Sequence, residues 1–171
     1  MGIKSPKGHD VCEVRTELRF VIMVEVIKIY CDGSGFNKIN SAYCFIVADW
    51  RERKYKGRDL KKVKVIYEDK NVYQIEYLAL VSALKFCDSV EGDYKFKIYS
   101  DSKCIVKEVN LLIRPKRIKL FNESRKIMGR NRDIKVLWVP REENLAGIYL
   151  EKRLKKLNRY GKINYHQYRK K

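Results

Sequence analysis

Apolar positions recur at every second residue in some stretches and at helical spacing in others, and the changes of period mark the elements. Phe20 to Cys31 is rich in Val, Ile and Tyr and reads as a first strand, with Ile27, Ile29 and Cys31 on one face and Lys28, Tyr30 and Asp32 on the other. Asp32-Gly33-Ser34-Gly35 ends it in a turn. Strands at about Ser41 to Ala48 and Val63 to Tyr67 follow, and short connections make the three an antiparallel meander. Asn71 to Cys87 then takes up a helical period, with Glu76, Leu80, Ala83 and Cys87 on one face. A fourth strand, Lys95 to Tyr99, ends at Ser100-Asp101-Ser102, where Asp101 or Ser102 is placed to cap a helix running to about Leu112. Arg114-Pro115-Lys116-Arg117 breaks the pattern. A helix from Ile118 to Met128 closes at Gly129, and a fifth strand, Ile134 to Val139, stops at Pro140. Asn144 is placed to cap a last helix with the stripe Ala146, Leu150, Leu154 and Leu157.

This order predicts an α/β domain: a mixed five-stranded sheet, an antiparallel meander followed by parallel strands, with helices on its faces. The domain is expected over residues 20–158, after a loose arm at 1–19 and before a basic, Tyr-rich tail at 159–171.

Charge narrows the partner. Lys and Arg number 39 against 21 Asp and Glu, a net +18 over 171 residues, which points to a polyanion, and nucleic acid is the usual one. On charge alone a ribosomal-type structural protein fits equally well. The stretch Trp50 to Lys62 is densely basic, and its Arg51, Arg53, Lys54 and Lys56 are candidate phosphate contacts. Five cysteines without zinc-like spacing, most of them inside apolar runs, predict buried thiols in a reducing, cytoplasmic setting. The apolar run Phe20 to Ile27 is broken by Glu25 and too short for a bilayer, so no membrane association is expected.

Three carboxylates stand out by position. Asp32 and Asp101 end strands one and four, and Glu76 points inward from the helix that connects the meander to strand four. If those strands are neighbours their ends lie about 5 Å apart. Three converging carboxylates repel unless cations stand between them, and hard divalent ions suit oxygen ligands. A Lys or Arg partner for Glu76 is the plainer alternative.

The strings IYCDGSG, IEYLALVSAL, IYSDSKCIV and WVPREEN, in this order, resemble the motifs of the ribonuclease H family, over about Ile27 to Leu157. The resemblance implies the ribonuclease H-like fold and hydrolysis of the RNA strand of RNA–DNA hybrids with two Mg²⁺ or Mn²⁺ ions. It implies that Asp32 touches both ions, that Glu76 and Asp101 hold one each, and that Arg141 assists near the leaving group. Gly33, Ser34, Ser102 and Lys103 would contact the nucleic-acid backbone. Tyr73 stands where many members carry an Asn that reads the minor groove.

One departure matters. The family's fourth carboxylate position is Gly147 here, in Asn144-Leu145-Ala146-Gly147. Glu151, one turn later, is the candidate replacement, or else a solvated partner for nearby basic residues; Glu142 and Glu143 are further options. Gly147 keeps a second reading open, a weak or inactive ribonuclease H-like module that grips nucleic acid. A related nuclease such as a junction resolvase is a third.

Overall fold

The structure, a computed structural model, describes residues 25–35, 41–48, 60–66, 70–130 and 133–164, of which 66 and 157–164 as backbone only. Five strands, β1 (Glu25–Gly35), β2 (Ser41–Ala48), β3 (Leu60–Ile66), β4 (Tyr94–Ser100) and β5 (Ile134–Trp138), form one sheet in the order β3-β2-β1-β4-β5. The first three pair antiparallel, and β4 and β5 add in parallel. Helices α1 (Val72–Ser89), α2 (Lys103–Val109), α3 (Ile118–Arg130) and α4 (Leu145–Asn164) complete the fold. The expected mixed sheet is therefore observed.

Alternation sorts the core into two layers. Ile27, Ile29 and Cys31 pack with Tyr77, Leu80, Ala83 and Leu84 of α1, and with Ile105 and Ile127 of α2 and α3. On the opposite face Ala42, Cys44 and Ile46 pack with Ala146, Leu150 and Leu154 of α4. β2 is buried on both faces, and so reads as a near-continuous apolar run. A fully buried Ile or Leu side chain contributes about 1.5–3 kcal/mol. Among the described residues no helix is long and apolar enough to cross a membrane. Cys31, Cys44 and Cys87 are buried free thiols and Cys104 is half-buried.

Several boundaries differ from the sequence-based expectation. β1 does not end before Asp32 but runs on to Gly35, because Asp32 to Gly35 keep their antiparallel partners Cys44 to Ser41 after the pairing with β4 has stopped at Tyr30. β3 begins at Leu60, so Lys61 and Lys62 belong to a strand, where their ammonium groups lie over the rings of Tyr149 and Phe45. α1 starts as expected, with Asn71 and Gln74 forming a reciprocal capping box.

α2 stops at Val109 rather than Leu112. Leu111 takes φ of 62°, and its N–H and that of Leu112 donate to Glu108 O and Lys107 O, a helix-ending pattern usually built on Gly. Neither Asp101 nor Ser102 caps α2 with its side chain. α3 ends at Arg130, one residue past Gly129, so that glycine sits in the last turn as expected. The arm at 1–19, the tail from 165, and Arg51, Arg53, Lys54 and Lys56 lie outside the described residues.

Candidate metal and nucleic-acid site

Asp32 is 4% exposed and faces the α4 side of the sheet. Glu76 rises from α1 on the other side, and Asp101 follows the last residue of β4. They influence one another because Asp32 lies beyond the last β1–β4 pair, Tyr30 with Tyr99, where no paired β4 backbone separates the faces. Burial, then the charge of Asp101, pushes the Asp32 carboxyl from the ordinary 3.8 to about 7, with Arg141 opposing and Glu76 adding to the rise. Burial raises Glu76 as well, against the Ser102 hydrogen bond.

Neutral donors hold two of these groups. Ser102 Oγ donates to Glu76 Oε2 at 2.7 Å, so among the described residues the hydrogen-bond partner of Glu76 is a hydroxyl, and the Arg of the plainer reading enters only as the charge of Arg141. Asn144, fully buried, donates from Nδ2 to Asp101 Oδ1 at 2.8 Å and to Cys31 O at 3.1 Å. Its Oδ1 accepts from Ala146 N, which supplies the expected cap. One side chain thus ties β1, the β4 end and α4 together. Arg141, 68% exposed at the side chain, lies 3.5 Å from Asp101 Oδ2.

Gly33 is buried under α1. A Cβ there would stand 2.5 Å from Glu76 N and from Ile75 C, so the bare backbone lets the Glu76 turn settle against β1. Ser34 Oγ donates to Gly35 O, and Lys103 is exposed at the start of α2. The Tyr73 hydroxyl donates to Glu108, so the ring leans toward α2.

Gly147 lies in the first turn of α4, beside Asp32. A Cβ on it would point at Asp32, 3.3 Å from Oδ2. Gly147, Arg141, Glu142, Ile148 and Glu151 line a shallow depression of about 300 Å³. Glu151 is bound to Lys155 at 2.7 Å and 57% exposed at its side chain, the solvated arrangement that helical spacing allows. Glu142 and Glu143 are exposed in the 3-10 turn Arg141–Glu143.

Two residues escaped the sequence reading. Glu108 is fully buried and accepts hydrogen bonds from Tyr73, Tyr77, Cys104 and the Lys116 N–H. The signal was present: Glu108 lies three residues after buried Ile105, on the inward face of α2. For Asn144 the cap was legible and the bridge to Asp101 was not.

Among the described residues, no three His, Cys, Asp or Glu side chains stand in the arrangement of a formed metal centre. The donor chemistry nevertheless fits a hard divalent cation. All three groups offer oxygen, and two have proton affinities raised by burial and by neighbouring carboxylate charge.

The chain's residues 40–153 match the family model described as reverse transcriptase-like. The chain belongs to this family, within the ribonuclease H-like superfamily. Solved structures of this superfamily share its fold. Ribonuclease H1 from Halobacterium salinarum is 19% identical with a TM-score of 0.58, over 71% of this chain and 90% of that one. LC11 ribonuclease H1, isolated from compost by a metagenomic approach, is 24% identical with a TM-score of 0.60, over 74% and 93%. A second LC11 structure, in complex with an RNA/DNA hybrid, gives 22% and 0.57 over 70% and 88%. No curated protein matches the chain.

The Asp32 shift has a measurable consequence for this ribonuclease H-like domain. Between about pH 4 and pH 7 the folded protein keeps a proton that the unfolded chain has released. The stabilising contribution is therefore complete below the unfolded value and is lost as pH rises to about 7. In EDTA, the Tm of wild type relative to Asp32→Asn should fall across that window and level off above it. Mn²⁺ at pH 7.5 should restore the wild-type value. A difference independent of pH would contradict the buried-carboxylate account.

Proposed function

We propose that this protein is a divalent-metal-dependent endoribonuclease that hydrolyses the RNA strand of RNA–DNA hybrids. The observation that carries this reading is the convergence of three carboxylates at one end of the sheet: Asp32, 4% exposed just past the last β1–β4 pair, Asp101, held by the buried Asn144, and Glu76, whose turn packs against Gly33. The net +18 agrees with a polyanionic substrate, and a related structure was solved with an RNA/DNA hybrid. Asp32 is the proposed bridging ligand, with Glu76 and Asp101 as the flanking ligands. Two Mg²⁺ or Mn²⁺ ions bound there would supply an activated water and charge stabilisation at the leaving oxygen. Ser102 orients the Glu76 carboxylate and Asn144 that of Asp101. Arg141 offers positive charge beside Asp101. Gly33, Ser34, Lys103 and the basic Arg51, Arg53, Lys54 and Lys56 are the proposed nucleic-acid contacts, with Tyr73 beside them.

The deciding experiment incubates labelled RNA–DNA hybrid, duplex RNA, duplex DNA and a four-way junction with Mg²⁺ or Mn²⁺. Selective cleavage of the RNA strand of the hybrid is expected. Cleavage of the junction alone would make the chain a resolvase.

Gly147 favours a second reading, a binding module with weak or no catalysis, because no carboxylate stands at that position and Glu151 is held by Lys155. Gly147→Asp places a new Cβ toward Asp32, which must yield by a few tenths of an ångström. The half-saturating Mg²⁺ should drop by about tenfold, the scale on which a ligand-shell change acts. Glu151→Gln should change cleavage by less than about twofold, as expected for an exposed surface pair. If wild type and both variants cleave nothing with either metal, the binding module is the correct reading.

A further inference from the structure

Trp138 ends β5 with 43% of its surface exposed, so much of a large aromatic ring is open to solvent beside Asp101. Its placement is built rather than incidental. Trp138 pairs with Ser100 in the parallel ladder, and the Val139 N–H donates to Ser100 O. The indole N–H donates to Asp101 O at 3.1 Å, so the ring is pinned to the main chain of a proposed metal ligand. The Lys103 ammonium lies 4.4 Å from the ring centroid, within the range of a cation–π contact. Arg141, three residues along, puts a second cation beside Asp101. An aromatic ring, a cation over it and a second cation near the same carboxylate supply the two things a nucleotide needs: a π-face for base or sugar and positive charge for its phosphate.

We infer that Trp138 and Lys103 form a nucleotide platform, on which a base or sugar next to the scissile phosphate packs against the Trp138 ring while Lys103 meets the adjoining phosphate. The inference deepens the proposed nuclease reading and rests on its substrate class. The Asp101 hydrogen bond also offers a simpler role, in which Trp138 merely braces the loop after β4. Phe separates the two, since it retains a π-face and loses the N–H.

The test uses the full chain with Trp50→Phe, which leaves Trp138 as the sole tryptophan. It is titrated with an RNA–DNA hybrid, a single-stranded DNA and a duplex DNA, with Ca²⁺ in place of Mg²⁺. Saturable quenching of Trp138 emission by the hybrid is expected. Trp138→Ala should weaken hybrid binding by about 5- to 100-fold, the range for loss of one stacked base, and Trp138→Phe by less than about threefold. Lys103→Gln should weaken binding and flatten its salt dependence by about one counterion. Emission unchanged at saturating hybrid, or Trp138→Phe as weak as Trp138→Ala, overturns the platform in favour of the brace. Quenching by the hybrid in a protein that cleaves nothing with Mg²⁺ or Mn²⁺ sinks the nuclease reading and keeps the platform. No binding of any of the three nucleic acids sinks both.

Discussion

Asp32→Asn is expected to remove hybrid cleavage and, in the absence of metal, to stabilise the fold at neutral pH. The two effects have one cause. At pH 7 the buried Asp32 carboxylate is held near Asp101 and Glu76 at the cost of desolvation and repulsion. Asn keeps the shape and removes the charge, which relieves the metal-free protein. The same change removes the proposed bridging ligand. Charge stabilisation by bound metal is worth several kcal/mol in the transition state, so the rate should fall by at least about a thousandfold. Hybrid binding in Ca²⁺ should persist, because the cationic surface is untouched. Mn²⁺ should raise the Tm of wild type and leave that of the variant unchanged. Three measurements check this: single-turnover cleavage, hybrid affinity and thermal unfolding with and without Mn²⁺. A variant that cleaves at near wild-type rate removes Asp32 from the site. A variant less stable than wild type in EDTA at pH 7 contradicts the electrostatic account.

Gly33→Ala is the second change with a large expected effect, and it acts through packing. The added Cβ would lie 2.5 Å from Glu76 N and Ile75 C, and 2.7 Å from Ile75 O. All three are helix backbone atoms, which cannot swing aside as a side-chain tip does. Either α1 lifts off β1 or the strand bends, a cost of about 3 kcal/mol. For a chain of this size that lowers Tm by roughly 6–12 °C. Any displacement of α1 also carries Glu76 away from Asp32 and Asp101, so Mn²⁺ should stabilise the variant less than wild type. Gly129→Ala is the control. It lies in the last turn of α3 with open space where a Cβ would stand, and should change stability by less than about 1 kcal/mol. Equal Tm values for Gly33→Ala and wild type would rule out the close approach of α1.

Gly33 also shows how one residue carries two readings. Its sequence context marks a turn, and the family resemblance adds an expected backbone contact to nucleic acid, whereas the fold demands a missing side chain for helix packing. β1 was expected to end before this point because Asp32-Gly33-Ser34-Gly35 is turn-rich. Local propensity lost there to continued pairing with β2. The same competition moved the start of β3, where basic Lys61 and Lys62 join the ladder by lying over aromatic rings.

What the sequence determined by itself was the sorting of residues onto faces. Period-two alternation put Ile27, Ile29 and Cys31 opposite Tyr30 and Asp32, and helical period put Glu76 in line with Leu80, Ala83 and Cys87. Both are properties of local geometry, so they survive folding unchanged. The three acidic motifs and the glycine at position 147 were legible for the same reason, as residue types at fixed places in elements. Only the tertiary structure decided how groups on opposite faces of a sheet come to share a site. Asp32 faces α4 and Glu76 belongs to α1, and they interact because the pairing of β1 with β4 ends at Tyr30 and Gly33 presents no side chain. The bridge from Asn144 to Asp101, the burial of Glu108 beneath Tyr73 and Tyr77, and the aim of Gly147 at Asp32 are likewise contacts between distant segments. No period along the chain encodes them, since each depends on where two independently readable elements dock.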